Sequence, residues 1–210
     1  MNQVLLVEGK NDLHVFVNIF EKHGVIESFK IEGKDGDSIY KSIPIYLKTD
    51  VESIGIVVDA DENVKNKWDK LKGIFSNADY KIPNSPDSLG LIVESENRPD
   101  IGIWIMPDNN KNGMLEDFVQ QLVPKSDNLM KYVDETLAMI ENGKVNKYKD
   151  IHKAKARIHT WLAWQETPGT PMGLAIKKTY LDTNLDLCKK FVDWINKLYN
   201  NHKIPLKAYK

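Results

Sequence analysis

Residues 4–12 read VLLVEGKND, and residues 54–61 read IGIVVDAD. In each, an apolar run without a polar break ends directly in acidic residues. Unbroken apolar runs of this length fit parallel strands covered on both faces, whereas a half-exposed strand would alternate. Open α/β sheets bind ligands beyond the carboxyl ends of such strands, so the two runs place Glu8, Asp59 and Asp61 at one ligand-facing edge.

Working outward, residues 11–23 carry Leu13, Phe16, Val17 and Phe20 at the spacing of one buried helix face, and Gly24 ends that helix. Residues 25–31 read as a second strand, 33–37 as a Gly/Asp turn, and 38–47 as a short helix that Pro44 would kink. A further helix is expected over 64–75, from Val64, Trp68, Leu71 and Phe75. This alternation of strand and helix implies a right-handed, mostly parallel sheet flanked by helices. Residues 89–93 and 101–106 are two apolar runs separated by a short polar linker with Pro99, the pattern of an antiparallel hairpin. A turn-rich loop, 107–113, leads to a helix over 114–122. Beyond Pro124 only helical patterns follow, over 127–140, 151–165 and 184–200. The expected architecture is an α/β domain over 1–123, with a helical C-terminal part over 124–210 packed on it.

Composition narrows the function. In 210 residues, 29 Lys and Arg face 30 Asp and Glu, a net charge of -1, so any nucleic-acid site must be local. The single cysteine, Cys188, supports neither a disulfide framework nor a four-thiolate zinc site and reads as a buried thiol. No export leader and no run of membrane-spanning length is visible, and the expectation is a cytoplasmic protein without a membrane partner. There is no phosphate-binding glycine loop and no Ser/His/Asp or Cys/His nucleophilic set.

Carboxylates gathered at one edge repel and raise one another's pKa unless a cation neutralises them. Without sulfur or a histidine cluster in the set, a hard ion is expected, Mg²⁺ or Mn²⁺. Asp59 and Asp61 are two apart, so an extended segment would point both to one side. Asp12 follows Glu8 by one helical turn and reads equally as a further ligand or as an acid favoured in a helix's first turn. Glu116 and Asp117 lie at the start of another helix, where the same two readings apply.

LVEGKND followed by VVDAD resembles the Toprim signature, an apolar strand ending in Glu-Gly and a later strand ending in Asp-X-Asp. The resemblance covers roughly the first 120 residues. It implies a Toprim-like, Rossmannoid fold with catalytic and metal roles for Glu8, Asp59 and Asp61, and with Asp12 where OLD-type proteins often have a further acid. Asp61 is followed by Glu62-Asn63, not by the Pro-Gly pair of many primases and maturases, and no zinc-binding cysteine set is present. The chain is most similar to small stand-alone Toprim proteins of largely unknown function, related in site design to OLD-family nucleases, and residues 153–173 also look like theirs.

The implied activity is metal-dependent cleavage or related phosphoryl transfer on DNA or RNA, with metal ligands drawn from Glu8, Asp12, Asp59, Asp61 and Glu116. The alternative is a regulatory or binding subunit that keeps the fold without turnover of its own. OLD enzymes usually carry an ATPase domain, so a separately encoded ATPase is a conceivable partner. A homo-oligomer paired through a strand edge is another. The one basic concentration runs over 144–157; with Lys10, its Lys153, Lys155 and Arg157 are the candidate phosphate contacts, against the simpler reading of a solvated helix face. Trp161 and Trp164 read as core before base-stacking residues, and His14 and His23 as structural.

Overall fold

The computed structural model describes residues 2–200. The final ten residues of the C-terminal region expected over 124–210 lie outside them. The chain runs β1 (Gln3–Val7), α1 (Lys10–His23), β2 (Lys30–Gly33), α2 (Ser38–Tyr46), β3 (Ser53–Asp59), α3 (Val64–Ser76), β4 (Leu91–Val93) and β5 (Asp100–Met106). It continues through α4 (Leu115–Gln120), α5 (Leu129–Asn142), a 3-10 turn (Asp150–His152), α6 (Lys153–Ala163), α7 (Met172–Lys177) and α8 (Asp186–Asn200). The protein is α/β: a five-stranded sheet of order β2-β1-β3-β5-β4, flanked by helices and completed by C-terminal helices.

All neighbours are parallel except β4, which pairs antiparallel with β5 as the hairpin pattern predicts. The chain leaves β1 toward β2 on one side and returns to β3 on the other. β1 and β3 therefore flank the point where the strand order reverses, and a crevice opens there beyond their carboxyl ends.

Side chains alternate across the sheet with the period of two that extended backbone requires. Leu5, Val7, Val57, Trp104 and Met106 pack with α1 and the C-terminal helices; Val4, Leu6, Ile54, Ile56, Val58, Ile101, Ile103 and Ile105 pack with α2 and α3. Because both faces are covered, both sets are apolar, and the central strands read as continuous apolar runs. The first core takes residues from both sides of the 123/124 boundary, joining Leu5 and Phe16 to Trp161, Phe191 and Trp194.

Helix α8 comes so close to the sheet that a Cβ at Gly55 would stand 2.3 Å from the Tyr199 hydroxyl, and one at Gly102 would stand 2.5 Å from Leu198. That approach lets the buried Tyr199 hydroxyl donate to Val4 O at 2.6 Å. The same helix closes over Gly90, whose φ of +84° also suits glycine.

Two elements differ from expectation, and the short helix over 38–47 holds. The second strand is confined to Lys30–Gly33, because Val25 and Phe29 are buried in the helical core, where Phe29 stacks on Tyr199, and only from Lys30 does the chain pair with β1. Helix α2 spans Ser38–Tyr46 with Pro44 inside it, in line with the expected helix over 38–47, and is closed by a hydrogen bond from Leu47 N–H to Ile43 O at 3.0 Å. Helix α7 had no sequence signal: it is six residues long, behind the turn-rich stretch from Thr167 to Pro171. Among the described residues, no helix is long and apolar enough to cross a membrane.

Candidate metal centre

Glu8 follows β1 directly, and Gly9 extends the chain before α1 begins at Lys10. From this position the Glu8 carboxylate reaches the neighbouring parallel strand, where Asp59 N–H donates to its Oε2 at 3.0 Å. Asp59 closes β3, and its Oδ1 accepts from Leu115 N–H, at the start of α4, at 2.8 Å. Helix α4 also brings in Glu116, buried beside Asp12 in the first turn of α1. With Asp35 from the β2–α2 loop, these carboxylates line one cavity of about 430 Å³, whose cations are Lys10 and Lys155.

The electrostatics follow from that crowding. Burial, then the charges of Asp12, Glu8 and Glu116, push the Asp59 carboxyl up to about 9, against the pull of Leu115 N–H. Asp12 is raised to about 7, chiefly by burial, with its own backbone N–H and Lys155 opposing Glu8 and Glu116. Asp12 Oδ1 is buried and accepts no hydrogen bond. Leaving a buried polar atom unpartnered costs about 1–3 kcal/mol, so its persistence is informative. Lys155 lies 3.3 Å from Glu116 and supplies only part of the missing positive charge.

Among the described residues, no three His, Cys, Asp or Glu side chains are already gathered around a common ion position. The fit to a cation rests instead on the unpartnered Asp12 oxygen and on the all-oxygen donor set. Both suit Mg²⁺ or Mn²⁺, which take carboxylate oxygens readily.

Asp61 departs from expectation. The strand ends at Asp59, Ala60 is buried, and Asp61 turns into the left-handed region with φ +51°, so the two-residue alternation no longer applies. Its backbone exchanges two 2.8 Å hydrogen bonds with Gly113, and its carboxylate pairs with Lys67 at 2.6 Å, outside the cavity lining. The structure thus brings together Glu8, Asp12, Asp59 and Glu116 and leaves Asp61 apart. The acidic pair on α4 also divides: Glu116 faces the cavity, whereas Asp117 Oδ2 accepts from Met114 N–H at 2.9 Å and caps the helix.

The four candidate phosphate contacts divide in the same way. Lys10 and Lys155 line the cavity. Lys153 pairs with Glu141 at 2.7 Å, and Arg157 holds Asp134 with two nitrogens and Gln120 with a third. Both are committed to binding helices to one another. Trp161 is core, its Nε1 donating to Asp127, but Trp164, also expected in the core, is 43% exposed because it caps the end of α6. Sequence reasoning passed over Asp35 as part of a turn, although the end of a third parallel strand at the same edge marks it as a candidate.

Fold and site together define an α/β protein with a partly buried carboxylate cluster at the switch point of its sheet. Over residues 2–200 the chain matches the family described as "Protein of unknown function (DUF3226)", and it belongs to that family. No curated protein and no solved structure matches it.

Proposed function

We propose that the protein is a metal-dependent phosphodiesterase acting on nucleic acid, in keeping with its resemblance to Toprim nucleases. One observation carries the reading: at the switch-point crevice buried Asp12 and Glu116 crowd half-buried Glu8 and Asp59, with Lys155 as the one ion-pairing partner and Asp12 Oδ1 accepting no hydrogen bond, an arrangement that suits a cation. Uncompensated groups of this kind concentrate at functional sites.

Glu8, Asp12 and Asp59 would hold the ion, with Glu116 at the edge of the set. When bound, Mg²⁺ or Mn²⁺ supplies charge neutralisation for a phosphodiester and acidity for an attacking water. The chain's own groups do the rest. Asp59 N–H fixes Glu8, and Leu115 N–H fixes Asp59, so both carboxylates are oriented before any ligand arrives. Lys10 and Lys155 meet the phosphate's remaining charge, and Lys155 can trade its contact with Glu116 for a phosphate oxygen.

A second reading has its own support. With Lys153 and Arg157 engaged inside the fold, two of the four candidate phosphate contacts are drawn away from a nucleic-acid backbone. A regulatory subunit that meets its substrate through a separate protein, an ATPase among the candidates, accounts for that economy.

The test is incubation of wild type and Asp59→Ala with single- and double-stranded DNA and RNA, under Mg²⁺ or Mn²⁺, with sizing of the products. Cleavage by wild type alone supports the phosphodiesterase. No cleavage by either folded protein supports the subunit, and equal cleavage by both rejects the site.

A further inference from the structure

Asn11 lines two cavities: the acidic one and a second of about 330 Å³. Two helices serve both. Helix α1 gives Asp12 to the first and His14 to the second; α6 gives Lys155 to the first and, one turn later, His159 to the second. One turn is about 5.4 Å, so the cavities are neighbours at the scale of a single nucleotide.

Their chemistry is opposite. No carboxylate and no lysine or arginine lines the second cavity; Pro171, Met172 and Leu174 from α7 and its approach face the two imidazoles and the Asn11 carboxamide. The cleft is built into the fold. A Cβ at Gly173 would meet His14 O at 2.7 Å, so only glycine allows α7 to lie this close to α1. The His14 carbonyl is itself tied by Asn18 Nδ2 at 2.7 Å. The buried Met172 lies beside this contact, while Leu174 is 42% exposed.

A phosphate finds no cation here, but a flat heterocycle finds apolar and imidazole surfaces for its faces and polar groups for its edge. We propose that this cavity seats the base of the nucleotide whose phosphate enters the acidic cavity. His14 and His159 are its specificity-determining residues. The assignment rests on the phosphodiesterase reading of the acidic site.

Binding is measured by NMR on the intact protein, following the ring signals of His14, His159 and His23, with His23, which bonds Thr183 O, as the control. The probes are thymidine 5′-monophosphate, thymidine and deoxyribose 5-phosphate, with and without Mn²⁺-free Mg²⁺ buffer. The nucleotide is expected to bind about tenfold tighter than the sugar phosphate, the effect of roughly one base stack. Its addition should shift His14 and His159 but not His23. His159→Ala and Leu174→Asp should each remove most of that tenfold gap.

Equal binding of nucleotide and sugar phosphate by wild type overturns the proposal, and so does a gap that survives in both variants. The acidic site fails separately: if Mg²⁺ and Asp59→Asn leave sugar-phosphate binding unchanged, that reading falls, and thymidine binding at the two histidines decides the base seat alone. A dinucleotide that binds more tightly than the mononucleotide supports a nucleic-acid strand as the source of the base.

Discussion

Two charged regions of this molecule are handled in opposite ways. At the start of α6, Lys153 and Arg157 are matched by Glu141 and Asp134, so these two cations of the basic run are neutralised and work as a brace between α5 and α6. At the carboxyl ends of β1 and β3, Glu8, Asp12, Asp59 and Glu116 converge with Lys155 as their one ion-pairing partner, and one buried oxygen accepts nothing. Folding alone would favour compensating the second set as fully as the first. That contrast is what supports the proposal of a cation drawn from solution to complete the second set.

The largest expected effect breaks this contrast at its centre. Replacing Asp59 by alanine should lower metal-dependent cleavage by at least about 100-fold, while the far-ultraviolet circular dichroism stays native. Retained activity in a folded variant would remove the catalytic meaning of the unmatched set.

Stability should respond to pH in the direction the raised carboxyls dictate. Asp59 and Asp12 hold their protons up to about 9 and 7 in the fold but ionise near 4 when unfolded, so the native state binds more protons between those limits. Without divalent ions, stability should therefore be greatest at mildly acid pH and fall as pH rises toward 9. Asp59→Asn keeps an acceptor for Leu115 N–H and removes the cost of protonating a carboxyl that is ionised in the unfolded chain; in EDTA at pH 8 it should raise Tm by roughly 5 °C. Mg²⁺ should stabilise wild type more at pH 8 than at pH 5, because it binds the ionised carboxylates. A pH-independent Tm in EDTA would contradict the crowding.

The two lysines and the arginine sharpen the comparison. Lys155→Ala should weaken nucleic-acid binding and reduce the slope of log affinity against log salt by about one unit, as loss of one phosphate contact requires. Arg157→Ala should leave that slope unchanged and lower stability by about 1 kcal/mol, read by urea denaturation, through loss of its exposed pair with Asp134. Reversed results would exchange the roles of brace and site. The smallest effect is expected at Asp61: its alanine variant should cleave close to wild type, since Lys67 and not the cavity receives its carboxylate. A loss matching that of Asp59→Ala would restore the Asp-X-Asp pair as a unit.

Much of this was legible in the residues. The continuous apolar runs of β1 and β3 announced strands covered on both faces, and the acid at the end of each announced the edge at which they meet. Trp161 as core and the antiparallel hairpin followed from the same periodicities. Three things did not follow. Extending strand alternation past Asp59 paired it with Asp61, but one left-handed residue rotates the second carboxylate away. A count of lysines and arginines over 144–157 could not distinguish paired from free cations, because their partners, Asp134 and Glu141, lie on another helix. Asp35 looked like a turn residue until β2 was seen to end at the same edge.

By itself, then, the sequence determined the layers, the order of the main elements and the acids that close β1 and β3. Those depend on local periodicity and on the rule that parallel strands present their carboxyl ends together. Tertiary structure decided which charges are left unmatched, since compensation depends on distances between elements far apart in the chain: Asp59 on Leu115, Lys155 on Glu116, Asp61 on Lys67 and Gly113. It also set the second cavity beside the first, because only the packing of α1, α6 and α7, closed at Gly173, brings His14 and His159 to one cleft.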